Sequence, residues 1–256
     1  MQFSNGAANM SNKNLPVGIR KADELIYLNE DRRNQVKSTF KVAGKKITDF
    51  ASKKNKRNGD LLDVGCATGD FLHHISTILT GYNLAGLEVS ELIALEASKR
   101  MSSASIKVGN VLDKTCFDEG SFDIIFVCGV LNCLDDPAPA LNAMIDWLKP
   151  NGLLLVCDLI NKHPIDVISR HRTVSDTTGD WETGWNYFSK QTLKIILEKR
   201  NDIASLQFEE FLMDKHIPKR DDPMRTWTEN FLDNQYQLVN GANQLIDNYF
   251  VSIEKR

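Results

Sequence analysis

The stretch from residue 61 to residue 72 reads LLDVGCATGDFL. Its first four residues, Leu61, Leu62, Asp63 and Val64, have the pattern of a buried parallel strand, apolar but for one acid. Gly65 and Gly69 then bracket a short turn, and Phe71, Leu72, Ile75, Ile78 and Leu79 follow at helical spacing. Strand, glycine turn and helix in that order leave bare backbone N–H groups at a helix N-terminus, where a ligand can lie against the chain.

Outward from this unit, strands and helices alternate. Residues 60–65 predict the first strand, 82–89 the second, 105–108 the third, 122–128 the fourth and 153–160 the fifth. Ser90 is of the N-cap type and opens a helix carrying Leu92, Ile93, Leu95 and Ala97. A further helix starts after Pro137 with Leu141, Met144, Ile145 and Leu148, and Pro150-Asn151-Gly152 reads as the turn that ends it. Such alternation predicts an α/β domain with a parallel sheet. Upstream, residues 22–52 have a helical pattern. Beyond Ile160 the rhythm breaks: 161–188 lacks periodicity. A helix (189–200), a strand (203–211) and a closing strand (244–253, after the Asn240-Gly241 turn) follow, the two late strands forming an antiparallel edge.

A chain of 256 residues with 42% apolar and 25% charged residues is long enough for one large domain with a full core. Its formal net charge of −3 gives no global pull toward nucleic acid or anionic membrane. Lys37, Lys41, Lys45, Lys46, Lys53, Lys54, Lys56 and Arg57 form a local basic run, read as a solvated amphipathic helix and linker, with an RNA or polyanion contact as the alternative. Five cysteines without a CxxC pair read as small buried residues of a reducing cytoplasm. The first residues lack the basic and apolar regions of a signal peptide, and no apolar run is long enough to span a membrane. Residues 1–20 are expected to be disordered. Residues 21–256 are expected to form one domain: a helical cover (21–57), a ligand-binding half (58–160), and insertions at 161–188 and 212–243.

The turn Gly65-Cys66-Ala67-Thr68-Gly69 differs in spacing from the GxGxxG dinucleotide fingerprint and lacks the Lys and Ser/Thr of a phosphate loop. Pyrophosphate is therefore not its natural guest. Glu88 ends the second strand 19 residues beyond Gly69, where a carboxylate can accept both hydroxyls of a ribose. Asp63, just before the turn, is placed to meet an ammonium directly or through water. A nucleoside with an amino-acid tail and a positive charge fits these groups.

On these residues the chain resembles the class I S-adenosylmethionine-dependent methyltransferases. Asp63 to Gly69 resembles their first motif, Glu88 in LAGLEVS the acid of the second strand, and Gly109-Asn110 the usual Gly-Asp of the third. FDIIFVCGVLNCLDDP (122–137) and LKPNGLLLV (148–156) resemble the fourth and fifth elements. The resemblance covers residues 58–160 closely and the rest only by order of elements. It implies a Rossmann-like, seven-stranded, mostly parallel sheet with helices on both faces and an antiparallel last strand. It further implies N-terminal helices and insertions after strands five and six. Carried over by position, it implies that the backbone at Gly65 and Cys66 lies against the methionine part of the cofactor. By the same token Glu88 holds the ribose, Val89 packs on the adenine, and Val111 offers its N–H to the ring. Asn110 stands where the family usually has an acid; its amide oxygen can still accept from the adenine amino group. Cys128 and Gly129 begin the floor near the reactive methyl, and Arg32, in YLNEDRR, is a candidate to reach the methionine carboxylate.

Methyl transfer needs alignment, plus a base where the acceptor is a hydroxyl. The candidates for such a base after strand five are His163 and His171, with His216 third; His73 and His74 read as structural. Trp181, Trp185 and Tyr187 read either as aromatic walls of a lid over the acceptor or as a packed patch, and Lys219, Arg220 and Arg225 either grip an anionic acceptor or form surface ion pairs. The Asn/Asp-Pro-Pro-aromatic motif of amino-methylating DNA and some protein enzymes is missing after the fourth strand, where the chain reads CGVLN, and Cys128-Gly129 supply no metal-binding acid, so no metal is expected. The preferred acceptor is a small molecule, such as the hydroxyl of a sugar, a nucleotide-linked sugar or another biosynthetic intermediate. The alternatives are an RNA or protein substrate of the basic run, and a non-catalytic cofactor-binding scaffold.

Overall fold

The computed structural model describes residues 21–30, 32–172, 174, 181–211, 216–219, 221, 225–232, 235–240 and 247–256. The expected disordered start and Arg220 lie outside these residues. Two helices open the chain, α1 (Lys21–Asn29) and α2 (Ser38–Lys53). The alternating half follows: β1 (Gly59–Val64), α3 (Asp70–Ile78), β2 (Tyr82–Glu88), α4 (Glu91–Arg100), β3 (Ala104–Val108), β4 (Phe122–Cys128), α5 (Ala138–Trp147) and β5 (Leu148–Asn161). Short strands β6 (Arg170–His171), β7 (Glu182–Thr183) and β8 (Phe188–Ser189) lead to α6 (Lys190–Glu198) and β9 (Ile203–Glu210). The hairpin strands β10 (Trp227–Leu232) and β11 (Gln235–Val239) precede β12 (Asn248–Lys255).

The main sheet runs β3-β2-β1-β4-β5-β12-β9, with β8 added at the end of β5. Strands β1 to β5 are parallel, and β12 is antiparallel to both β5 and β9. This is the mostly parallel α/β sheet with an antiparallel last strand that the sequence predicts. Alternation along β1 separates two cores. Leu62 and Val64 face Trp147, Met144 and Leu193 on one side, while Leu61 faces Phe40, Ile47, Phe71 and Ile75, from α2 and α3, on the other.

Three local expectations change. The helix read over 22–52 is broken between Asn29 and Ser38, because the Arg100 guanidinium takes the carbonyls of Leu28 and Glu30 (3.0 and 2.9 Å) and ends α1. In α4 Ser90 caps the helix, its hydroxyl accepting from Ile93 N. The buried face, however, is Ile93, Ala94 and Ala97, whereas Leu92 and Leu95 are exposed. Finally, Pro150-Asn151-Gly152 does not interrupt β5. The ladder with β4 shifts register between Phe122 and Ile124, and Asn151 takes up the extra residues at φ +62°. An asparagine tolerates this left-handed conformation at modest cost.

Candidate cofactor and acceptor site

The glycine turn after β1 winds through the left-handed region three times, at Gly65 (φ +71°), Ala67 (φ +46°) and Gly69 (φ +85°). A side chain at Gly65 would come within 2.5 Å of the Val130 side chain. Ala67 carries the backbone cost of its conformation, about 1–2 kcal/mol, and in that pose its N–H donates to Glu88 Oε2 at 3.0 Å. Ser90 N donates to Oε1 of the same carboxylate, also at 3.0 Å. Glu88 is 6% exposed. Burial pushes its carboxyl up, opposed by the backbone N–H groups of Ser90, Ala67 and Val89. Asp63 is buried too; desolvation, then the Cys128 sulfur and Glu88, push it well above the usual carboxylate range, and Lys37 opposes them.

These groups face one cavity at the carboxyl ends of β1, β2 and β4. Of the predicted cofactor residues, Asp63, Gly65, Cys66, Glu88, Val89, Asn110, Val111 and Cys128 line it. Gly69 stands behind it as the N-cap of α3, against Met101. Arg32 is not brought to the cavity: its guanidinium pairs with both oxygens of Glu30, at 2.9 and 3.2 Å. The Asn110 Oδ1 accepts from Leu112 N at 3.0 Å, so the amide shapes the turn as well. Sequence reasoning expected a helical cover here but did not single out Asp23, Tyr27 and Glu30, which stand on one face of the α1 segment at i, i+4 and i+7 and line the cavity. It also missed Lys37, the one cation among the described lining residues, whose ammonium burial holds below its ordinary range.

A family model described as a methyltransferase domain matches residues 30–201. The chain belongs to the class I S-adenosylmethionine-dependent methyltransferases. Among curated relatives it is 31% identical over 109 residues to the ubiquinone biosynthesis O-methyltransferase of Alkalilimnicola ehrlichii, covering 41% of this chain and 42% of that one. It is 28% identical over 112 residues to the dTDP-3-amino-3,4,6-trideoxy-alpha-D-glucopyranose N,N-dimethyltransferase of Streptomyces venezuelae, covering 43% and 46%. In these matches the chain spans less than half the length of the relatives. Among solved structures, the plantazolicin methyltransferase BpumL superposes with a TM-score of 0.58 over 92% of both chains at 13% identity, a likeness of fold. S-adenosylmethionine is the cofactor of this family, and the residues present fit it. The cavity offers the buried carboxylates of Asp63 and Glu88, and an apolar wall of Leu87, Val89, Ile93 and Val111.

The loop after β4 supplies Gly129, Val130, Cys133 and Leu134 to the cavity. Two buried side chains hold that loop. Asp158 Oδ2 accepts from Leu131 N at 2.8 Å, and its Oδ1 from Leu159 N at 2.8 Å. Asn186 donates to Leu134 O at 2.6 Å, accepts from Ser169 N, and offers its backbone N–H to Asn132 O. Burial raises the Asp158 carboxyl to about 7 against these N–H bonds. His163 and His171 do not line the cavity: His163 is exposed, and His171 lies in β6, 3.6 Å from Glu182. Trp181 is exposed, under the Arg172 guanidinium at 5.1 Å. Trp185 and Tyr187 pack with Leu159 and Leu238 in a small apolar cluster beside the loop. Arg225 stacks on Tyr27 at 5.4 Å and approaches Glu30 at 3.9 Å. Within the basic run, Lys45, Lys46, Lys54 and Lys56 meet Asp49, Glu209, Glu254 and Asp123. No helix among the described residues is long and apolar enough to cross a membrane.

Proposed function

We propose that this chain transfers the methyl group of S-adenosylmethionine to a small-molecule acceptor seated against the loop after β4. The observation that carries this reading is Glu88: a buried carboxylate whose two oxygens are aimed by Ala67 N and Ser90 N into the cavity beside the glycine turn. Each oxygen keeps a lone-pair direction for a ribose hydroxyl. The bound cofactor supplies an electrophilic methyl on a sulfonium. Lys37 takes the role first given to Arg32, as cation for the methionine carboxylate, and Asp63 faces the ammonium. Leu134, Val130 and Cys133 shape the acceptor space, and alignment by these walls is the contribution of the protein.

A hydroxyl of a sugar, nucleotide-linked sugar or related intermediate is the acceptor class we favour. Support comes from the two relatives named as an O-methyltransferase and an N,N-dimethyltransferase, and from the pairing of four of the eight residues of the basic run with acids. Five free cysteines suit a reducing cytoplasm. Calorimetric titration with S-adenosylmethionine and, separately, S-adenosylhomocysteine tests the cofactor step. Micromolar binding of either is expected; binding of neither overturns the reading. Incubation with labelled cofactor and hydroxyl or amino sugars then tests the acceptor, and transfer that goes only to RNA or protein overturns that part.

A further inference from the structure

Two cysteines pair where β4 meets β5, one in the cavity wall and one behind it, and methyl transfer uses the sulfur chemistry of neither. Cys128 ends β4, and Cys157 is its partner in register on the neighbouring parallel strand β5. In-register neighbours project to the same face, and that face packs Phe126 and Leu155 beneath α2 and α3. Strands about 4.8 Å apart bring the two Cα atoms within the roughly 4.4–6.8 Å that a disulfide spans. Cys128 opens onto the cavity, whereas Cys157 is 3% exposed. The Cys157 thiol beside it and the Lys37 ammonium favour the Cys128 thiolate, against desolvation and the Asp158 carboxylate. The Cys128 thiol is thereby held below its ordinary range, and Cys157 is pushed well above. Reach from the cavity, a nearby cation and a thiol in waiting together describe an attacking cysteine and a resolving one.

We propose that Cys128 and Cys157 form an oxidation site in the wall of the cavity, joined into a reversible disulfide by hydrogen peroxide. The Cys128 thiolate attacks one peroxide oxygen, and the O–O bond breaks. Cys128 becomes a sulfenic acid, and the departing hydroxide takes a proton to give water. The Cys157 sulfur then attacks the sulfenic sulfur, the S–S bond forms, and the oxygen leaves as a second water with the Cys157 proton. Two thiols lose two electrons, and one peroxide becomes two waters. The bond ties the Cys128 sulfur to β5 and removes an ionisable thiol from the lining it shares with Lys37. That this costs cofactor affinity rests on the cofactor reading above; the disulfide itself does not.

The full chain is treated with hydrogen peroxide, its remaining thiols are capped with iodoacetamide, and the digest is read by mass spectrometry. A Cys128–Cys157 linked peptide that disappears with dithiothreitol is expected. In Cys157→Ser, Cys128 is expected to stop at a sulfenic acid captured by dimedone. A pair that stays reduced, or a link from Cys128 to Cys133 instead, overturns the proposal. S-adenosylhomocysteine titrations before and after peroxide are expected to show binding lost and then regained on reduction. Unchanged binding across oxidation overturns the functional consequence. A linked peptide in a chain whose reduced form binds no cofactor overturns the cofactor reading and leaves the oxidation site standing.

Discussion

Glu88 joins local strain to ligand chemistry. The left-handed turn at Ala67 exists so that an N–H can point at this carboxylate. Removing the side chain in Glu88→Ala is expected to cost roughly 1.5–3 kcal/mol of cofactor binding, about a 10- to 150-fold rise in Kd by calorimetry. Asp158 carries a pH prediction. The unfolded chain releases this proton near the usual carboxylate value of about 4, whereas the folded chain keeps it to about 7. Between those values folding binds a proton, so the contribution of Asp158 to stability declines as pH rises. Urea unfolding at several pH values is expected to show a shallower decline across that window in Asp158→Asn than in the unmodified chain; parallel curves would contradict the assignment. Legibility also differs from residue to residue. Glu88 was readable because its distance from the glycine turn is set by one helix and one strand. Lys37 was not, because it sits in a run of similar lysines, and only the break after α1 decides which cation turns inward.

At the scale of elements, α1 takes the covering position that the sequence suggests, and what the sequence hides is which of its faces works. Its apolar residues suggest a core-facing helix, yet Leu25 is 66% exposed and the working face is Asp23, Tyr27 and Glu30. Arg100 fastens its end through two backbone carbonyls. Charge-assisted bonds of this kind contribute about 1.5–3 kcal/mol each. Arg100→Ala is therefore expected to speed amide exchange across residues 21–30 while leaving β1 and β4 protected; unchanged exchange there would remove Arg100 as the clasp. Helix α4 was legible at its start, where Ser90 has the chemistry of a cap, and misread along its face, where two alanines rather than two leucines pack inward. In β5 the Pro-Asn-Gly triplet carries a strong turn signal, and the ladder with β4 overrides it with a bulge. Tertiary pairing outweighs local propensity in both cases.

Across the whole molecule, the alternating half was legible because its central strands β1, β4 and β5 carry long runs buried on both faces and its helices are short. The segment after β5 was not, since its strands are two residues long and its order comes from the Asn186 and Asp158 contacts, which join residues far apart in sequence. A ligand that binds only the folded state lends it stability by mass action. S-adenosylhomocysteine at a hundredfold excess over Kd is expected to add about 2.7 kcal/mol and to raise Tm by roughly 5–10 °C. The shift is expected to fall to about 0.3–1.4 kcal/mol in Glu88→Ala at the same concentration, and an undiminished shift would place the ligand elsewhere. One contact has a wider consequence. Ser90 gives its N–H to Glu88 and its hydroxyl to Glu24 of α1, at 2.6 Å. Pocket and cover thus share a hinge pin, and linkage through it runs equally in both directions. Whatever steadies the outer side of α1 tightens the grip on the cofactor by the same factor with which the cofactor steadies α1, so a molecule that never enters the cavity can still set how full it is.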